Sequence, residues 1–245
     1  DVAYNCLPLY NSAAWAATVL RALVAGIPVA MDSAFSVSNF WDRIRHYGAT
    51  QTMSLGAMHM FLWNAPERPD DRANPLRTVS MVPLPEHLID PICARFGIEK
   101  ISQGFGQSEV MTLIGRECFP GARNKPNALG KVSDDFELRL VDDDGKEVAV
   151  GEAGEFAVKA KKPHILFNGY FNNPEATAQA WRDGWFLMGD LGRKDADGDY
   201  FFVDRKKDYI RYKGRSVSSF QVESVANRFP GIAQCAAYGV PSAEL

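Results

Sequence analysis

Two hydrophobic rhythms divide the chain. Over the first hundred residues, helically spaced apolar positions alternate with short apolar runs. Ala13 to Met31 holds one charge, Arg21, in 19 residues. That length approaches the roughly 20 residues of a membrane span. Gly26-Ile27-Pro28 interrupts it, however, and Ala supplies much of its apolarity. The pattern therefore predicts a buried helix capped by Ser12 and stopped at Gly26, then a strand at Val29–Met31. A second helix is predicted over Val37–Tyr47, with Ser36 as cap and Gly48 after it. Strands follow at Thr50–Leu55, Arg77–Val82 and Ile98–Ser102, and helices at Met58–Trp63 and Glu86–Phe96. Ala65–Pro75 is polar and Pro-rich and reads as a surface loop. Helices between short apolar strands predict a parallel sheet covered on both faces.

From about residue 126 the period becomes two. Phe136–Leu140 and Glu155–Lys159 alternate, Asp142-Asp143-Asp144-Gly145 turns the chain, and Asp197-Gly198 precedes Tyr200–Val203. Alternation with Asp-Gly turns predicts antiparallel strands closing as a small barrel or curled sheet. A helix at Pro174–Trp181, with Pro in its first turn, interrupts them. Net charge changes near residue 204: it is −1 over residues 1–100, −5 over 101–203 and +3 over 204–245. The predicted organisation is thus 1–125, 126–203 and 204–245.

Composition narrows the function classes. The 245 residues are 46% hydrophobic with a net charge of −3, which excludes wholesale disorder, and a pI near 5.9 argues against a nucleic-acid partner. Cys6, Cys93, Cys118 and Cys235 form no C-x-x-C pair, so a reduced, cytoplasmic setting is expected. No segment demands a membrane, and oligomeric state leaves no signal. The chain opens at Asp1 without Met, so a fragment lacking both ends of a longer protein is expected.

Several motifs fall short of familiar chemistry. Gly104-Phe105-Gly106-Gln107-Ser108-Glu109 begins like G-x-G-x-x-G, but Glu109 would repel a pyrophosphate unless a metal intervened. Gly106–Val110 begins like G-x-S-x-G and lacks its last Gly. Asp195–Asp199 resembles a calcium loop, but Tyr200 replaces its Gly and Lys206 its Glu, so a β-turn is expected. His46, His59, His87 and His164 match no zinc spacing and read as helix-surface or loop residues. Trp15, Trp41 and Trp63 fall at helical spacing and read as core. Six cations lie between Asp204 and Arg215, interleaved with Tyr209 and Ile210, which suits a phosphate-rich ligand as well as a solvated face.

Four segments in order then carry a resemblance. They are Gly104–Glu109; Gly169-Tyr170-Phe171-Asn172-Asn173-Pro174-Glu175-Ala176-Thr177; Gly184-Trp185-Phe186-Leu187-Met188-Gly189-Asp190-Leu191; and Asp204-Arg205-Lys206-Lys207-Asp208-Tyr209-Ile210 through Lys213-Gly214-Arg215. Glu152–Glu155, Asn127–Gly130 and Leu7–Ser12 fit the same pattern. Over nearly its whole length the chain resembles the adenylate-forming (AMP-binding) superfamily. Within it, the crotonobetaine/carnitine-type and fatty-acid-transport-type CoA ligases are most similar. The fold implied is α/β: part of a doubly wound sheet, an antiparallel barrel-like subdomain and the start of a small α+β C-terminal domain.

The resemblance implies an acid–thiol ligase. Mg-ATP and a small-molecule carboxylic acid give an acyl-adenylate and pyrophosphate, and coenzyme A then takes the acyl group. Gly104, Phe105, Gly106 and Gln107 would border the nucleotide, with Phe105 against adenine. Ser108 would contact phosphate, Glu109 would hold Mg²⁺, Asp190 would accept the ribose hydroxyls, and Arg205 would touch ribose or phosphate. Lys207 falls at the hinge, and Lys213 and Gly214 in the loop used for thioester formation. Asn11 stands where many relatives have His, and Met81–Pro85 replaces a Gly/Ala-rich adenine segment. The family's phosphate loop and C-terminal Lys have no counterpart here, so these residues alone are expected to be poorly active. The rival readings are an acyl-AMP ligase that loads a carrier protein and a non-catalytic nucleotide-binding module, with a general hydrolase further off. The acyl group itself is not legible.

Overall fold

A computed structural model describes residues 1–122, 125–212, 215–227, 229, 231–232 and 235–240, and for Arg211, Tyr212, Arg215 and Ser216 it describes backbone only. The chain divides into two compact units, residues 1–129 and 130–245.

The first unit opens with strand β1 (Ala3–Asn5). A continuous helical segment follows: α1 (Ser12–Ala14), a π stretch at Trp15–Leu20 and α2 (Arg21–Val24). Its cap is Asn11, whose Oδ1 accepts from the Ala13 amide at 2.9 Å, not Ser12 as the sequence predicts. Both residue types cap well, and the backbone turn at Pro8–Asn11 decides which takes the position. Gly26 then stops the segment at φ +69°. The remaining elements of this unit are β2 (Val29–Met31), α3 (Phe40–Tyr47), β3 (Gln51–Leu55), α4 (Ala57–Asn64), β4 (Thr78–Val82), a 3₁₀ turn at Glu86–Leu88, α5 (Ile89–Phe96), β5 (Lys100–Phe105) and β6 (Ile114–Cys118). α3 begins three residues later than predicted, because residues 37–39 form a turn closed by the Phe40 amide on the Ser36 carbonyl. Gly48 ends α3 in the left-handed conformation.

These strands lie in the order β2-β1-β3-β4-β5-β6; all pair in parallel except β6, which runs antiparallel to β5. Ile44, Ile89, Ile92, Val79 and Ile101 are fully buried at the centre of the core. Trp41 stacks on Phe96 there at 4.5 Å, whereas Trp15 is half exposed and so is not a core residue. Loop 65–75 is polar, as predicted, but is tied down by Arg95. That side chain pairs with Asp71 at 2.7 Å and donates to the carbonyls of Trp63, Ala65 and Pro66.

His59 departs from its expected surface place. It is buried on α4 between Ser54 Oγ at 3.0 Å and the Pro83 carbonyl at 2.8 Å. A carbonyl can only accept, so Nε2 carries the proton and Nδ1 accepts from Ser54. Burial holds the ring below its ordinary pKa.

The second unit contains β7 (Lys131–Val132), β8 (Phe136–Val141), β9 (Ala153–Ala160), α6 (Pro174–Gln179), β10 (Trp181–Arg182), β11 (Trp185–Lys194), β12 (Tyr200–Arg205), β13 (Ile210–Tyr212), β14 (Arg215–Val217) and α7 (Ser219–Ala226). β10-β11-β9-β8 form an antiparallel half-barrel, with β12 also pairing β11. Helix α6 ends two residues early, since Trp181 joins β10 opposite Phe186. Phe156 is the central buried ring, and it packs directly over Gly192. The Asp195–Asp199 turn is an Asx turn, in which the Asp195 carboxylate accepts from the Asp197 and Asp199 amides at 3.0 Å. Among the described residues, no helix is long and apolar enough to cross a membrane.

Two stability predictions follow from this packing. A Cβ on Gly192 would lie 2.1 Å from the Phe156 ring. Gly192→Ala is therefore expected to lower unfolding free energy by about 1–3 kcal/mol in urea denaturation. For His59, the unfolded imidazole takes up a proton near pH 6.5 while the folded one resists it, so stability is lost as pH falls. The contribution is up to about 1.4 kcal/mol per pH unit below pH 6.5. Denaturation midpoints at pH 7.5 and 5.5 should differ less in His59→Gln than in the parent.

Candidate active site

The parallel strands of the first unit bring their C-terminal ends to one edge, where open α/β sheets bind ligands. At that edge, β5 ends at Phe105 and the chain turns sharply. The Met111 amide reaches back to the Gln107 carbonyl at 2.6 Å, and the Leu113 amide reaches the Phe105 carbonyl at 3.0 Å. Val110 and Leu113 are buried and anchor the turn. A Cβ on Gly106 would sit 1.5 Å from the Met111 carbonyl oxygen, so only glycine fits there. Met111 itself has φ +55°, unusual for a residue with a side chain.

This turn presents Ser108 and Glu109. Ser108 is exposed, and its hydroxyl donates to that of Ser12 at 3.1 Å, although 96 positions separate them. Ser12 opens the helix, whose first amides are taken up by the Asn11 side chain and carbonyl. Asn11 spends its side-chain oxygen on the cap. Phe105 and Glu109 are partly exposed. The neighbouring segment after β4 is held from below, with the Pro83 carbonyl on His59 and the Leu84 carbonyl accepting from Gln103 Nε2 at 3.2 Å. The sequence showed Met81–Pro85 only as a departure. Its two supports lie 24 and 19 positions away, and no local pattern announces them.

Asp190, Arg205 and Lys207 lie in the second unit. Asp190 is buried on β11 opposite Arg205 on β12, and Arg205 Nε approaches its Oδ1 at 3.8 Å. Asp204 is also buried. It accepts from the Arg205 amide at 2.8 Å and, through both oxygens, from Ser219 at the start of α7. Lys206 pairs with Glu155 at 2.8 Å and Asp143 at 3.0 Å. Partial burial alone would lower the Lys206 pKa. The hydrogen bonds to Glu155 and Asp143 outweigh that and hold it above its ordinary value. Lys207 is exposed, and Lys213 and Gly214 lie outside the described residues.

The Gly169–Thr177 motif folds on itself. Asn173 caps α6 through the Ala176 amide at 3.0 Å, Thr177 Oγ1 accepts from the Tyr170 amide at 2.9 Å, and Gly169 has φ +131° with Thr177 against it. Sequence reasoning missed Ser12, His59, Glu155 and Lys206 as parts of the site's frame. Ser12, Glu155 and Lys206 lay inside quoted motifs without an assigned role, and His59 lay outside all of them.

Comparison with known proteins identifies the family and the fold. The AMP-binding enzyme family matches residues 1–171. A crotonobetaine/carnitine–CoA ligase of Salmonella heidelberg is 30% identical over 246 aligned residues, covering 99% of this chain and 47% of that protein. The structure of o-succinylbenzoate CoA synthetase from Bacillus subtilis, in complex with the acyl-adenylate intermediate OSB-AMP, superposes with a TM-score of 0.84. It is 25% identical, covering all of this chain and 49% of that one. A Mycobacterium tuberculosis fatty acyl CoA synthetase superposes at 0.76 and is 28% identical, covering all of this chain and 48% of that one. The chain thus spans about half the length of the relatives it matches. Its sequence and both of its folded units make it a member of the AMP-binding enzyme family.

Proposed function

We propose that the protein carrying this chain is an ATP-dependent carboxylic acid–CoA ligase working in the cytoplasm. The observation that carries the reading is the edge where Ser108 and Glu109 meet the helix start at Ser12, on a turn only Gly106 permits. Such an edge offers two hydroxyls and one carboxylate to a nucleotide polyphosphate. Relatives named as CoA ligases support the acceptor.

Mg²⁺ suits this donor set. It is commonly held by one or two carboxylates together with substrate phosphates and water. Glu109, partly exposed beside two hydroxyls, fits that role. When bound, the ion neutralises phosphate charge as pyrophosphate departs.

The chain's own residues position the substrates. Ser108 and Ser12 donate to phosphate oxygens, and Phe105 lies against adenine. Asp190 accepts from the ribose hydroxyls, with Arg205 alongside. The acid's carboxylate oxygen attacks the α-phosphorus and pyrophosphate leaves. The coenzyme A thiol then attacks the acyl carbon and AMP leaves. No protein nucleophile takes part, so rate comes from orientation and charge stabilisation. Lys207 serves as the hinge between the two half-reactions, residues 204–245 comprising that hinge and the start of the C-terminal domain, so that the chain after Lys207 turns relative to the chain before it. Lys213 and Gly214 enter in the second half-reaction. Asp204 binds Ser219 across that hinge, so rotation at Lys207 has to break those hydrogen bonds.

In the full reading frame, Glu109→Gln is expected to cut Mg-dependent, carboxylate-dependent pyrophosphate release by about 100-fold. Unchanged release would remove the metal role and favour a non-catalytic module. Thermal unfolding with a non-hydrolysable acyl-adenylate mimic should show saturable stabilisation that Asp190→Ala abolishes. Product analysis with and without coenzyme A separates a CoA ligase from an enzyme that loads a carrier protein.

A further inference from the structure

Glu155 has no role in the assignments above, yet it is a buried carboxylate with both oxygens engaged. Oε1 accepts from the Gly189 amide at 2.9 Å, and Oε2 accepts from Lys206 Nζ at 2.8 Å. Lys206 completes the arrangement from its backbone, because its amide donates to the Gly189 carbonyl at 2.8 Å. Gly189, immediately before Asp190, is therefore held on its amide by the Glu155 side chain and on its carbonyl by the Lys206 backbone, and the ion pair ties those two residues together. Asp143 receives a second hydrogen bond from Lys206 Nζ at 3.0 Å and fixes the ammonium from the other side.

The local backbone needs such a clamp. The pairing of β11 with β9 shifts register between Leu187 and Leu191, so Gly189 and Asp190 have no ladder partner on β9. Gly189 has φ +71°, a conformation open to glycine at little cost. On the other side, Asp190 pairs with Arg205, the residue just before Lys206. The ion pair thus grips the chain next to both members of the Asp190–Arg205 couple.

A charge pair whose lysine is 40% exposed contributes little to stability, because solvent screens it. Its value lies in geometry: it fixes a bulge that ladder hydrogen bonds leave unset. We propose that Glu155 and Lys206 are positioning residues that aim the Asp190 carboxylate at the ribose hydroxyls, and so set the preference for ribonucleotides over 2′-deoxyribonucleotides. This rests on the reading of Asp190 as the ribose acceptor.

The test is calorimetric binding of AMP and 2′-deoxy-AMP to the full reading frame, in the parent and in Lys206→Met, Lys206→Arg and Glu155→Gln. Lys206→Met is expected to weaken AMP by about tenfold, because a displaced carboxylate loses its aligned hydrogen bonds. Binding of 2′-deoxy-AMP should change much less, so the preference for AMP collapses. Lys206→Arg should restore most of it. Retention of the parent's affinity and preference by a Lys206→Met protein with the parent's melting temperature would overturn the proposal. If Lys206→Met does not fold, Glu155→Gln is read by the same criteria, since it keeps the volume and weakens the pair. A parent that binds both nucleotides equally would sink the ribose role of Asp190 and this proposal together. The ligase reading is judged separately, by carboxylate-dependent pyrophosphate release.

Discussion

Four parallel pairings set the frame of the first unit. Ala3 stands opposite Val29 and Gln51, Gln51 opposite Thr78, and Thr78 opposite Lys100. Parallel strands deliver all their C-terminal ends to the same edge. Segments far apart in the chain therefore meet there: the helix start at Asn11–Ser12, the Pro83–Leu84 segment, and the Phe105–Glu109 turn. The contact between the Ser12 and Ser108 hydroxyls is a direct product of this register. A slip of one residue in any ladder would turn every side chain of that strand to the other face.

Some irregular parts of the chain lie next to residues for which chemistry is proposed. The helix beginning at Ser12 widens to a π stretch over Trp15–Leu20, where Thr18 Oγ1 turns back to the Ala13 carbonyl at 2.9 Å. The turn after β5 holds Met111 at positive φ and leaves no room for a side chain at Gly106. In the half-barrel, β11 shifts register next to Asp190. The π stretch is secured by Thr18 and the β11 shift by Glu155, while the Gly106 turn is held by its backbone hydrogen bonds and by buried Val110 and Leu113.

Buried polar residues do that securing. His59 joins β3 to the segment after β4, Arg95 ties down loop 65–75, and Glu155 joins β9 to the bulge in β11 and to Lys206. A buried polar group left unpaired costs more than a satisfied one contributes, so these groups specify one geometry rather than add much stability.

Much of this protein was legible from its residues. Periodicity located β2–β5, β8, β9 and β12 and most helices of the first unit within a few positions but did not announce β1, β6, β11 or α7, the Asp-Gly turns announced antiparallel pairing, and the ordered motifs pointed to the AMP-binding family. Those signals are local, arising from spacing, caps and turn chemistry within some ten residues. What tertiary structure decided was partnership. Ser12 gave up the cap to Asn11 and turned to Ser108, His59 left the surface for the interior, and Lys206, one cation among six in its run, was chosen to hold Glu155. Each of those contacts except the cap joins strands or loops brought together only by sheet register. Hydrogen-bond partners far apart in the chain leave no period in a sequence, because the geometry that selects them exists only once the sheets have formed.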